Sequence, residues 1–574
     1  MRGPINKIII CGGGSSGWMT AAVLSKQFPD KQIALVESPN IPVIGVGEST
    51  LGTINSFLDL LGLKDEDWMK DCQATYKLGI KFTDFYKKGE AYYYPFGVKD
   101  MQNTQAGATD WYVKKSLNPD TPKNDFYESF YSCMPFIYDN KIYDNKDGQL
   151  PNFSWKSDVA YHVDAIQFGH MLRDRIALPN GVIHVKKEIK KIEKDVEGYI
   201  SYIQLDDGDQ LEADLFIDCT GFKSMLLGET METYFEDFSD WLPNKRAITC
   251  HVPYTDKELE MENVTNCTAW DNGWIWNIPL YNRIGAGYVY DPKLCTKEQA
   301  EEEFKEYLNS DRMKLHKPER SEEIEEFSHI DIRNGVMHKC WSQNVVGVGL
   351  SYGFIEPLES TGLLSVQEIL LRLCETLHYE QVNRTHMDHF NYVVKQIMTG
   401  FKFFVAYHFT LSSRRDTEYW RQATEYIRMD PRLDDPKFNN SIESLPAVMA
   451  NSLLQSHSMQ GDLSMGGIPD IFVGNNCIPS NPTQLKILED LILARQGQTP
   501  EIYTKQLQDY WDQKKDYIQT LANDADSHYE YLRKNFYEVE DVDDTGDEVV
   551  EDVEDEVIED VENEVVEETT DTQE

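Results

Sequence analysis

The chain opens with Lys7–Cys11, a short apolar run with three isoleucines, as in a strand buried on both faces of a parallel sheet. Residues 18–26 combine helix formers with an apolar stripe, and 33–36 form a second apolar strand. The opening therefore reads as a βαβ unit. From about 80 to 350, short β-branched runs alternate with turn residues, which predicts mixed α and β structure. The pattern then changes. Leu363, Val366, Leu370 and Leu373, with Ile369 and Leu377, follow helical spacing, and helical signals continue through 387–402. A Gly/Pro/Asn-rich loop is expected near 460–482. After Tyr537 acidic residues alternate with Val and Ile, a composition that reads as disordered or weakly helical. The expected class is α/β. A Rossmann-type dinucleotide module covers 1–362, a mainly helical lobe 363–536 and an acidic low-complexity tail 537–574.

Charge narrows the function. The net charge is −43, and 20 acidic residues without Lys or Arg follow Tyr537, leaving −23 for the rest. Such a protein is a poor ligand for nucleic acid or an anionic membrane, so neither is expected as a partner. No apolar stretch reaches the ~18 residues of a membrane span. The ten cysteines include no CxxC pair, which fits reduced thiols and a cytoplasmic location and gives no metal-ligand spacing. In His386-Met387-Asp388-His389 no third ligand is signalled, and a solvated helix face is the reading adopted.

The chemistry starts at Gly12-Gly13-Gly14-Ser15-Ser16-Gly17, a GxGxxG between the first strand and helix. Gly12, Gly14 and Gly17 allow a tight turn and close backbone approach to a pyrophosphate. Ser15 and Ser16 open the helix whose N-terminus faces that anion. Glu37 ends the second strand, placed to accept from an adenosine ribose. The same glycines fit the GxSxG of hydrolases, but that elbow normally follows several strands. The acid-bearing strand within 214–224, with Asp218, resembles the one closing the dinucleotide domain of FAD monooxygenases. A second glycine stretch, 346–349, ends at Gly349. No second GxGxxG marks an NAD(P)H domain, so FAD is the expected cofactor, with reducing power delivered from elsewhere.

Further segments resemble the flavin-dependent tryptophan halogenases. Gly45-Val46-Gly47-Glu48-Ser49-Thr50 is similar to the family's flavin strap. Gly273-Trp274-Ile275-Trp276-Asn277-Ile278-Pro279 fits its WxWxIP signature. Glu356-Pro357-Leu358-Glu359-Ser360-Thr361-Gly362 matches its EPLESTG segment, and Tyr76-Lys77-Leu78-Gly79 resembles the stretch carrying its lysine. The resemblance implies that FADH2 from a separate reductase, oxygen and a halide (chloride, bromide or iodide) yield hypohalous acid. This passes through a tunnel to a lysine beside the substrate. By resemblance Gly47, Glu48 and Ser49 lie along the flavin. Trp274 and Trp276 sit beside it, and Thr361 and Gly362 offer backbone N–H groups to the halide. Lys77 holds the electrophilic halogen, ahead of Lys81 as candidate. Glu359 serves as the base that takes the arene proton, with a helix cap as the alternative, and Ser360 supports the lysine or the substrate. Phe96 packs against the substrate, or simply in the core, and many members form homo-oligomers.

Two departures concern the substrate. Tryptophan-specific members carry His two residues before that Phe, where this chain has Tyr94. No Trp lies between Trp420 and Trp511 to clamp an amino acid. An indole or phenol is thus expected rather than free tryptophan. The alternatives are a flavin aromatic monooxygenase, which the WxWxIP segment and Lys77 argue against, and a catalytically silent flavoprotein acting as an interaction module.

Overall fold

The computed structural model describes residues 3–41, 45, 47–97, 108–425, 467–476, 486, 490, 493–494 and 497–538. Val46, most of 460–482 and the acidic tail beyond Glu538 lie outside the described residues.

The βαβ opening is present and slightly longer than predicted. Strand Lys7–Cys11 leads through the glycines into helix Ser15–Gln27 and then strand Gln32–Glu37. The first strand pairs in parallel with Gln32–Glu37 on one side and Leu215–Asp218 on the other. That central position explains its unbroken apolar run, since Ile8 to Cys11 are fully buried. The six-stranded sheet continues outward to Ile183–Lys186 at one edge and to Val345–Gly347 and Trp341–Ser342 at the other.

A seven-stranded sheet forms the second layer. Its order is Ser328–Asp331, Arg246–Val252, Ile284–Tyr290, Gly273–Pro279, Val264–Trp270, Gly79–Thr83, Ala91–Pro95. All neighbours are antiparallel except Val264–Trp270 and Gly79–Thr83, which run parallel. A three-stranded sheet holds Ala160–Val163 between Glu48–Ser49 and Thr75–Lys77. The chain passes from this small sheet to the large one at Leu78, whose N–H bonds Asn263 O. Lys77 thus sits at a junction of two sheets.

Helices Thr361–Leu377 and Arg384–Thr410 follow the predicted helical spacing. The expected loop near 460–482 contains a helix, Ile468–Gly474. Its proline occupies the first turn, where the missing N–H costs nothing, and buried Ile471 and Phe472 pack with Phe404 and Tyr407. Tertiary burial overrode the loop-like composition. Further on, helix Pro500–Asp524 and the segment to Tyr537 return to the early chain. Tyr76 N donates to His528 Nε2, and the Tyr537 hydroxyl donates to the carbonyls of Met69 and Ala74. No described helix is long and apolar enough to cross a membrane.

Candidate active site

A cavity of about 620 Å³ opens at the carboxyl end of the first strand. Gly12, Gly13, Gly14, Ser15, Ser16 and Glu37 line it, with Gly349, Thr361 and Gly362 opposite. The glycines are required. Gly12 has φ +114°, and a Cβ there would meet Cys219 O at 2.2 Å, while one on Gly17 would meet Gly12 O at 1.9 Å. No side chain caps the start of helix Ser15–Gln27, so its first N–H groups are left for an anion. Glu37 borders the cavity, where its carboxylate is held by His184 Nε2 at 2.7 Å. A bare glycine turn, an uncapped helix and an acid at the next strand end fit the pyrophosphate and ribose of FAD. Asp218 does not reach this cavity. Its carboxylate accepts from the N–H groups of Thr220, Leu226 and Leu227 and from the Thr220 hydroxyl. It holds the loop that borders the cleft, a structural duty in place of the expected cofactor contact.

A second cavity, about 180 Å³, lies beside the first. Gly47, Glu48, Ser49, Thr265, Trp276, Pro357, Ser360 and Gly362 are among its walls. Glu48 and Gly362 border both cavities. Burial pushes the Glu48 carboxyl up to about 7. The two signature tryptophans have different positions. Trp276 lies on the cavity wall, its ring occupying the space over Gly287, where a Cβ would stand 2.1 Å from the indole. Trp274, fully buried, donates from Nε1 to Glu356 Oε2 at 2.7 Å. Asn244 donates to the same oxygen, and burial raises Glu356 to about 7. Trp274 therefore stands behind the wall with its ring centroid 5.7 Å from that of Trp276, and of the two only Trp276 borders a cavity, the smaller one.

Behind the Ser360 wall lies a buried polar cluster around Lys77. Lys77, Glu359 and His408 have no exposed surface and Ser360 has 3%. Lys77 lies on a strand, while Lys81, on the neighbouring strand, stays partly exposed. Lys77 Nζ donates to Thr50 O and to Ser360 Oγ, both at 2.8 Å, and sits 4.9 Å from the Phe96 ring centre. Burial lowers the lysine to about 7, although Cys267 and Glu359 nearby act the other way. Ser360 adopts φ +58°, rare outside glycine, and its hydroxyl serves Lys77 and Ser49 instead of capping helix Thr361–Leu377. The uncapped N–H groups at Thr361 and Gly362 are thereby left at the cavity wall.

Glu359 is not a helix cap. Its Oε1 accepts from His408 Nε2 at 2.5 Å, and His408 Nδ1 is 2.7 Å from the Tyr92 hydroxyl. Burial raises the Glu359 carboxyl, opposed by His408 and Lys77. Tyr94 packs edge-on to Phe96 and Phe404, with centroids at 5.8 and 6.0 Å. Sequence reasoning missed His408, Tyr92, Thr265 and His162. A single histidine within the aromatic run 401–409 was the one signal for His408; the others carry none.

The model of the tryptophan halogenase family matches residues 7–435. The tryptophan 7-halogenase of Lentzea aerocolonigenes is 33% identical over 445 residues, 74% of this chain and 80% of that protein. The apo structure of VirX1 superposes with a TM-score of 0.83 at 39% identity, covering 93% of this chain and all of the other. A flavin-dependent halogenase from Xanthomonas campestris gives a TM-score of 0.77 at 25% identity, over 93% and 99% of the two chains. The open glycine-walled cleft, the Trp276 cavity and the buried Lys77 cluster accord with these relatives: the chain is a member of the tryptophan halogenase family, an FAD-dependent halogenase that uses FADH2 and a halide.

Proposed function

We propose that the protein halogenates a small electron-rich arene of the indole or phenol type, other than free tryptophan, using FADH2 delivered by a separate reductase in the cytoplasm. Residues 1–362 serve as the flavin module and 363–536 as the substrate-side lobe. Bound reduced FAD supplies, with oxygen and halide, the hypohalous acid. The observation that carries the reading is Ser360, which lines the smaller cavity and also accepts from Lys77 Nζ. It joins the place where oxidant arises to an enclosed amine.

In this reading the glycines at 12, 14, 17 and 349, with Ser15, Ser16, Glu37, Gly47, Glu48 and Ser49, bind the cofactor, and Trp276 closes its inner end. The N–H groups of Thr361 and Gly362 hold halide, as a helix start favours an anion. Lys77 receives the electrophilic halogen and places it at an arene carbon. Glu359, fixed by His408, stabilises the cationic adduct and takes its proton. Tyr94 and Phe96 bound the arene side. Trp420 donates from Nε1 to Trp270 O, and fully buried Trp511 packs on Phe130. Both are committed to the core, which supports a substrate other than one gripped as an amino acid.

The test is product mass spectrometry with FAD, a flavin reductase, NADH and oxygen, offering indoles, phenols and free tryptophan with each halide in turn. A halogenated indole or phenol, absent in Lys77→Ala, is expected. Halide-independent hydroxylation would instead mark a monooxygenase, and efficient turnover of free tryptophan would overturn the substrate class.

A further inference from the structure

Lys77 is the first member of a continuous hydrogen-bonded chain that runs away from the chamber. Its Nζ donates to Ser360 Oγ (2.8 Å), and Ser360 Oγ donates to Ser49 Oγ (3.1 Å). Ser49 Oγ and Thr265 Oγ1 are 2.6 Å apart, and Thr265 Oγ1 is 2.9 Å from His162 Nε2. His162 Nδ1 lies 3.2 Å from Thr75 Oγ1, which donates to Pro279 O at 2.5 Å. The carbonyl at the far end sets every direction. Thr75 spends its proton on Pro279 O and so accepts from His162 Nδ1–H. That tautomer leaves Nε2 as an acceptor, which must take the proton of Thr265. Thr265 then accepts from Ser49, and Ser49 from Ser360. Each hydroxyl points its proton from Lys77 towards His162.

The chain is also deeply buried, although Ser49, Thr265 and Ser360 border the smaller cavity. Thr75 and His162 have no exposed surface, and Ser49, Thr265 and Ser360 have 5%, 4% and 3%. Burial, then Lys77 and His528, the titratable groups acting on it, favour the neutral form of His162, opposed by a hydrogen bond to the Pro279 carbonyl. His528 is itself pushed down to about 4 by burial. The hydrogen bonds thus leave His162 Nε2 without a proton at the end of an oriented wire. Residue types that only filled space here would need neither hydroxyls at three successive positions nor a ring nitrogen left as acceptor.

We propose that His162 is a positioning residue that exchanges one proton with Lys77 through the hydroxyls of Ser360, Ser49 and Thr265. The balance is as follows. The Lys77 ammonium releases a proton into the wire and His162 Nε2 receives one. The free amine lone pair takes the halogen of hypohalous acid. The N–halogen bond forms as the halogen–oxygen bond breaks, and hydroxide leaves as water with a second amine proton. When the halogen passes to the arene, the N–halogen pair stays on nitrogen and the proton returns from His162. Glu359 takes the arene proton and passes it back to Lys77. The net change is arene plus hypohalous acid to haloarene plus water. The wire lets a buried amine lose and regain its proton through side chains alone.

The inference rests on the halogenase reading but not on the arene class, so its test omits the arene. Holoenzyme loaded with reduced FAD and bromide is mixed with oxygen, and oxidising equivalents retained on the protein are titrated over time with a coloured thiol. Thr265→Val, which keeps the shape and cuts the wire, is expected to slow their appearance about tenfold or more. Thr265→Ser should stay within about twofold of wild type, and His162→Gln, which accepts the hydrogen bond but holds no proton, should be as slow as Thr265→Val. Wild-type rates in H2O–D2O mixtures should curve, because several protons move together. Wild-type rates in both Thr265→Val and His162→Gln would overturn the relay. So would a straight-line dependence on deuterium in wild type, which decides the matter even if a variant fails to bind FAD. Bromination of indole is assayed separately, and its failure would count against the proposed arene class alone.

Discussion

The flavin cleft and the lysine chamber solve opposite problems a short distance apart. In the cleft the work falls to backbone. Gly12, Gly13 and Gly17 keep side chains away so that N–H groups and a helix end can face an anion. In the chamber the work falls to titratable side chains taken wholly out of water: Lys77, Glu359 and His408. Burying unpaired charge is costly, so each is tied to a fixed partner. A binding site built of backbone gains from openness and tolerates little bulk. A reactive site built of buried titratable groups gains from closure and tolerates no lost partner.

That contrast can be pushed hardest at Lys77. Lys77→Met should abolish halogenation, by about a thousandfold or more, while FAD affinity by fluorescence titration stays near wild type. Equal loss of both would merge the two regions into one. Glu359→Gln keeps the size but removes the base and is expected to lower the halogenation rate about a hundredfold with flavin binding intact. A change confined to the arene KM would make Glu359 a binding group instead.

The third prediction is thermodynamic. Lys77 is held at about 7 in the fold, against about 10.4 in an unfolded chain. Between those values the unfolded state binds more protons, so the contribution of Lys77 to stability rises with pH. Denaturant unfolding of wild type relative to Lys77→Met should gain about 1 kcal/mol per pH unit from pH 7.5 to 9, and no gain would mean the amine is charged in the fold. The smallest effect belongs to the cleft. In Gly13→Ala the new methyl meets the Glu37 carboxyl at 2.2 Å, but a side chain can swing aside. FAD should bind about fivefold more weakly, roughly 1 kcal/mol, with an unchanged rate per bound flavin.

The difference also explains what the sequence discloses. A cleft made of consecutive backbone leaves a local signature, and the glycine turn, its helix and Glu37 were all legible within the first 37 residues. Lys77 and the Glu356–Gly362 segment were legible through resemblance. Their partners were not. His408 meets Glu359 from 49 positions away and Thr265 meets Ser49 from 216. Ser and Thr in strands look the same whether they face solvent, core or one another. Asp218 misled for the converse reason. An acid at a strand end fits a ligand or its own loop equally well, and here four donors of the loop claim it. Trp274 and Trp276 share a strand face, yet the depth of each is set by neighbours, Glu356 for one and Gly287 for the other.

The hydrogen bond from Tyr76 N to His528 spans 452 residues, and Tyr537 grips Met69 and Ala74 across a similar interval. During translation the strand bearing Lys77 emerges long before the segment that clamps it. A nascent chain can form its first strand and helix early, whereas the backbone next to Lys77 gains its bond to His528 only when that late segment has left the ribosome. The order of synthesis thus leaves one support of the Lys77 strand to be added near the end of translation.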